Sequence, residues 1–156
     1  MYLYKVAFIV ILVSYNAFAM DDERMINTPF CEIVIDDKYE KYEDGQNVIF
    51  YKDIKGTVLS RKIEVTNKVG LKEEYLDLGL LLVNEDTINE ILITQIRTNI
   101  EGKSYNYDLL LFSDGGSTTV LNYFGKEEVV KVFSQCIDAV KLREFLGHEY
   151  IGLPPV

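Results

Sequence analysis

The sequence predicts an α+β domain: a mainly antiparallel β-sheet of six to seven strands with one C-terminal α-helix packed on a face. Three observations lead there. Short apolar runs recur along residues 30–124 and are separated by turn-forming residues, a spacing that permits hairpins but not parallel crossovers, which need a dozen residues or more. Only Lys126–Leu146 repeats its apolar residues at steps of three and four, with Val129, Val130, Phe133, Ile137 and Val140 on one stripe and Cys136 beside it. The two cysteines, Cys31 and Cys136, fall at the front of the first strand candidate and on that helix, where one bond would staple sheet to helix.

Residues 1–19 read as a signal peptide. Lys5 is the single cation of a short n-region, Val6–Tyr15 is nearly free of polar groups, and Ala17-Phe18-Ala19 is a small-x-small cleavage site. The apolar run falls short of the roughly 20 residues of a membrane span, so no stable membrane anchor is expected after cleavage. Cleavage after Ala19 removes Lys5 alone among charged residues, which takes the formal charge from -9 to -10. The expected location is periplasmic or secreted. In such an oxidising compartment Cys31 and Cys136 are expected to be joined, and closing a loop of about 100 residues stabilises a fold by roughly 4–5 kcal/mol in the chain-entropy model. No C-x-x-C is present, and no histidine is near either cysteine, which weighs against a catalytic or metal-binding thiol.

The mature chain divides into a flexible segment, 20–29, and a single α+β domain, 30–156. Asp21, Asp22 and Glu23 read as a solvated tail. Phe30–Ile35 is the first strand candidate. Asp36–Asp44 is a mixed-charge stretch, either an exposed helical turn or a long hairpin arm, with Tyr39 and Tyr42 three apart. Asn47–Asp53 is apolar in its middle, and Thr57–Thr66 alternates Leu59, Ile63 and Val65 against Ser60, Lys62 and Glu64, the pattern of a half-buried strand. Leu76–Val83 is the most continuously apolar stretch and suits a central strand. Asn84–Glu90 reads as a loop. In Ile91–Ile100 the density of β-branched residues outweighs the capping-box form of Thr87–Glu90. Tyr105–Ser113 and Thr118–Phe124 flank Asp114-Gly115-Gly116-Ser117, a tight hairpin signal. The tail Tyr150–Val156 should run extended along the surface.

Several chemistries are excluded or unsupported. Gly102-Lys103-Ser104 lacks the upstream glycine of a phosphate loop, since that position holds Arg97. Gly115-Gly116-Ser117 lacks the spacing of a nucleophile elbow. His148 is the only histidine, which rules out a multi-histidine metal site and leaves a surface or helix-end role. No calcium-loop motif surrounds Asp36 or Asp44. No cofactor, metal or enzymatic activity is expected.

The acidic balance argues against nucleic acid, whose phosphates demand Lys and Arg, and admits a basic protein partner. Tyr39, Tyr42, Tyr51, Tyr105, Tyr107 and Tyr123 come from strand-like or adjoining segments, and tyrosine is common at recognition surfaces. The expected partner-binding residues are Asp36, Asp37, Tyr39, Glu40, Tyr42, Glu43 and Asp44. The expected function is therefore that of an exported small binding protein acting through protein–protein interaction, with an immunity or inhibitor protein that occludes a basic toxin or hydrolase as its specific form. Two alternatives stand beside it: a carrier of a small apolar ligand in the cell envelope, and a hydrolase using carboxylates alone, which would need two acids roughly 5–9 Å apart.

Overall fold

The chain enters the fold through a narrow ribbon, β1 (Met25–Asn27) paired with β2 (Glu32–Val34), in which Ile26 lies opposite Ile33 and both are buried. The Thr28 side chain closes its turn by accepting the Cys31 amide at 3.0 Å and donating to the Cys31 carbonyl at 2.7 Å. The computed structural model describes residues 24–28, 30–37, 39–44, 47–53, 60–98, 106–114, 118–122 and 125–152. The expectation of a loose segment over 20–29 is corrected for its second half: residues 25–27 are strand because Ile26 is needed in the core. The signal peptide, residues 1–19, lies outside the described residues.

After the ribbon come β3 (Glu40–Asp44), β4 (Asn47–Asp53), β5 (Ser60–Thr66), α1 (Leu71–Asp77), β6 (Leu81–Ile88), β7 (Ile91–Thr98), β8 (Tyr107–Ser113), β9 (Thr118–Asn122), α2 (Lys126–Phe133) and α3 (Ala139–Leu146). Strands β3 to β9 pair antiparallel in the order β3-β4-β5-β9-β8-β7-β6. The α+β class and the antiparallel pairing are as the sequence predicts, and for Asp36–Asp44 the hairpin arm is the observed alternative.

Strands β7 and β8 are buried on both faces. Ile91, Ile93, Leu110 and Phe112 join Ile63 in the main core under α2, α3 and the ribbon, while Ile96, Leu109 and Leu111 meet Leu71 and Tyr75 of α1 on the other side. Both periodicities serve one purpose, since alternation along each strand feeds two apolar faces and each face needs a helical cover. At the centre of the main core the Phe112 and Phe133 rings stack, centroids 3.9 Å apart and planes 4° from parallel. Burying a phenylalanine fully is worth about 2 kcal/mol.

The single helix expected over Lys126–Leu146 is two. Helix α2 ends at Phe133, and α3 restarts at Ala139 with Asp138 as its N-cap, its carboxylate accepting the Lys141 amide at 2.9 Å. An aspartate that can satisfy an orphan amide favours a helix start over a helix interior. The restart shifts the buried face: Leu142, Phe145 and Leu146 point inward, and Val140 is 61 % exposed. Residues 134–138 also bring Cys136 against the ribbon, where it forms the disulfide with Cys31. That bond is consistent with an extracellular or periplasmic location.

Two further expectations fail between β5 and β7. Leu76–Val83 is not a central strand. It holds the end of α1, a turn at Gly79 in the left-handed region (φ 87°), and the start of β6, which is the edge of the sheet. Nor is Asn84–Glu90 a loop, for β6 runs to Ile88 and only Asn89 (φ 51°) and Glu90 (φ 67°) turn the chain. Two consecutive positive-φ residues between the paired Ile88 and Ile91 make a type I′ hairpin, whose twist matches the strands it joins.

Candidate partner-binding edge

The residues expected to meet a partner, Asp36 to Asp44, run from the end of β2 into β3, the other edge of the sheet. Their path is set by a disulfide and a series of hydrogen bonds. The ribbon is bonded to residues 134–138 by the Cys31–Cys136 disulfide and by Gln135, whose amide accepts the Val34 N–H at 2.9 Å and donates to the Val34 carbonyl at 3.2 Å. The Ile35 amide donates to the Arg24 carbonyl at 2.9 Å, and the Arg24 guanidinium returns to the carbonyl of Tyr39. The Tyr39 amide donates to the Asp36 carbonyl at 3.2 Å, closing a turn. Finally the Tyr39 hydroxyl donates to Glu128 Oε1 on α2 at 2.7 Å.

Tyr39 is therefore removed from the contact set. It is 2 % exposed, because its ring fills core volume and its hydroxyl has a carboxylate to bond. Around this buried anchor Asp36, Asp37, Glu40 and Glu43 are exposed, as is Tyr42 at 55 %. Asp44 closes the β3–β4 hairpin opposite Asn47, and its side chain lies outside those described. Lys41 Nζ lies 2.7 Å from Glu43 Oε1, two residues on and so on the same side of the strand. Of the other tyrosines singled out, Tyr107 is half-buried, and the side chains of Tyr51, Tyr105 and Tyr123 lie outside the described residues. A cavity of about 60 Å³ sits behind the arm, lined by Val34, Ile35, Asp36, Tyr39, Glu128 and Lys131 among others.

Arg24, Glu128 and Gln135 were not legible as anchors. Glu128 carried only the signal of a carboxylate in a helix's first turn, and Gln135 only that of a polar residue between stripe positions.

Elsewhere a groove of about 550 Å³ separates β6 from α3, lined by Asn84, Asp86, Thr87, Lys141, Glu144 and neighbours. The C-terminal segment is tied to β8 through Asp108, which is fully buried. Its carboxylate accepts from Gln95 Nε2 at 2.8 Å, from Arg97 Nε and Nη2 at 2.9 and 3.1 Å, and from the Ile151 amide at 2.8 Å. The hydrogen bond to Asp108 raises the Arg97 pKa above its ordinary value, so the guanidinium stays charged. His148 is exposed just past the end of α3.

Among the described residues, no group of three or more His, Cys, Asp or Glu side chains could hold a metal ion, and no helix is long and apolar enough to cross a membrane. Compared with known proteins, the chain matches no family model, no curated protein and no solved structure.

Proposed function

We propose that this chain is an exported binding protein, periplasmic or secreted, which acts by covering a basic surface of another protein, in the manner of an inhibitor or immunity protein. One observation carries the reading: Asp36, Asp37, Glu40 and Glu43 are exposed on either side of Tyr39, a buried anchor that ties their backbone to α2. Carboxylates held on a fixed backbone lose little conformational entropy when a partner binds, so more of the electrostatic attraction appears as affinity. Complementary charge also speeds association, and that gain falls as salt screens it. The net charge of -9 supports the same sign of partner.

The carrier reading draws no support from the cavity behind the arm, since about 60 Å³ is well under the roughly 300–1,000 Å³ of small-molecule sites. The groove of about 550 Å³ between β6 and α3 is lined mainly by polar and charged side chains, which do not suit an apolar ligand. The test is capture of partners from envelope and culture-supernatant fractions by the purified chain, at low and raised salt. The variant Asp36→Asn, Asp37→Asn, Glu40→Gln, Glu43→Gln is run alongside with its melting temperature as a folding control. Capture of a basic protein that the folded variant has lost is the expected result. Capture that survives both the substitutions and the salt rejects the reading.

A further inference from the structure

The sheet has two edges, β3 and β6, and their backbones are treated differently. At the β6 edge the closing pair Ile88–Ile91 exchanges both hydrogen bonds, so alternation turns the amides of Thr87 and Glu85 outward. Both are occupied by the side chain just before them. The Glu85 amide donates to Asn84 Oδ1 at 3.0 Å, and the Thr87 amide to Asp86 Oδ1 at 2.7 Å. A register shift between Leu82 and Asn84 further spoils that edge as a template.

At the β3 edge, Asp44 pairs with Asn47 across a two-residue connection, so the same alternation turns Glu43 and Lys41 outward. Among the described residues no side chain takes either amide. The edge is five residues long and regular in register from Glu40↔Tyr51 to Asp44↔Asn47. Over Asp36–Asp44 the sequence carries five carboxylates and two lysines.

We propose that β3 receives an extended segment of the partner as an additional strand of the sheet, through the amides and carbonyls of Lys41 and Glu43. This rests on the reading of a basic partner, and it specifies the segment. Side chains of an added strand stand beside those of its neighbour. The added strand therefore places a lysine or arginine beside Glu40 and an apolar residue beside the exposed Tyr42, two positions on. The recognised pattern is a cation and an apolar residue alternating with residues that point to the opposite face. Main-chain bonds supply affinity and these side chains supply choice.

The probe is the capped peptide Lys-Thr-Val-Thr-Lys, titrated into the purified chain and followed by amide NMR and hydrogen exchange. A peptide of the same composition in the order Lys-Lys-Val-Thr-Thr serves as control. Protection of the Lys41 and Glu43 amides by the first peptide is expected. Lys41→Pro should weaken its binding about tenfold relative to Lys41→Ala, because proline removes only the outward donor and costs no bond to β4.

Equal affinity of those two variants overturns strand addition, as does protection at Glu85 and Thr87 instead, or no binding up to millimolar peptide. A dimer of this chain that Lys41→Pro dissolves overturns it in favour of a second copy as the occupant. The two readings fail separately. If both peptides bind alike and the charge-neutralised arm loses both, the basic-partner reading stands and strand addition falls. If Lys41 and Glu43 are protected without any salt dependence, strand addition stands and the charge reading falls.

Discussion

Tyr39 and Glu128 are 89 residues apart in the chain and are joined by a 2.7 Å hydrogen bond that ties the entry to β3 to helix α2. Deleting the hydroxyl leaves the ring in place and a half-buried carboxylate short of one donor. Hydrogen bonds to charged groups contribute about 1.5–3 kcal/mol. Tyr39→Phe should therefore destabilise the fold by about 2 kcal/mol in urea unfolding. It should also speed exchange of the Tyr39, Glu40 and Tyr42 amides, which are bonded in the arm, more than that of β7. Unchanged exchange there would show that Tyr39 does not hold the arm.

The division of the C-terminal helix makes a second prediction, and it marks where sequence reasoning stopped. A continuous helix puts Val140 on the stripe with Phe133 and Ile137; the observed pair of helices exposes Val140 and buries Leu142 completely. Val140→Ser should change stability by less than about 0.5 kcal/mol, whereas Leu142→Ala should cost about 2–5 kcal/mol. Similar losses at both positions would restore the single helix. The stripe through Val129, Val130, Phe133 and Ile137 is legible because helical spacing holds that far, and Asp138 escapes it because a capping side chain competes only weakly with about six turns of pattern until tertiary contacts decide. Helix α1 was hidden for a related reason. Its seven residues bury Leu71 alone beyond nine-tenths, too little for a periodic signal, and the apolar run that follows it imitates a central strand. The acidic arm could be read from composition; that Tyr39 faces inward could not, since alternation through a turn depends on its geometry.

Asp108 makes a third. Its carboxylate is fully buried, and Arg97 supplies its only side-chain cation in the network described. Breaking a buried pair by removing one partner costs about 3–5 kcal/mol, because the remaining charge is stranded. Arg97→Met should reach that range and release residues 149–151, since Arg97 Nη2 also donates to the Glu149 carbonyl at 2.6 Å. Loss of protection at the Ile151 amide is the readout, and a variant that keeps it would mean Asp108 holds the tail unaided.

The β6–β7 turn should be improvable. Glu90 sits at φ 67°, a region where a side chain costs about 1–2 kcal/mol, and its neighbour Asn89 tolerates the region better. Glu90→Gly relieves that strain and gives back part of it as unfolded-chain entropy. A net gain of about 1 kcal/mol is expected, read as a rise of about 4 °C in Tm. A fall in Tm would mean that the Glu90 side chain makes a stabilising contact that outweighs the backbone strain.

Acid should act on the opposite face of the sheet, through Glu85. Its carboxylate accepts from Lys72 Nζ on α1 at 2.7 Å and from Thr94 Oγ1 at 2.7 Å, and these bonds, Lys72 first, hold its pKa below the usual carboxylate value. A carboxyl whose pKa is lower folded than unfolded binds more protons in the unfolded state over the window between the two values. Its stabilisation is therefore fully present above the unfolded value, about pH 4.3, and is lost as the pH falls through the folded one. Glu127, held low by Arg143, has the same sign, but it is fully exposed and solvent screens its pairing. Lys72→Met should flatten the stability profile below about pH 4.3 while changing stability at pH 7 only modestly, as expected for a pair at the margin of the surface. A profile that keeps its full acid slope in Lys72→Met would assign the acid sensitivity to other carboxylates.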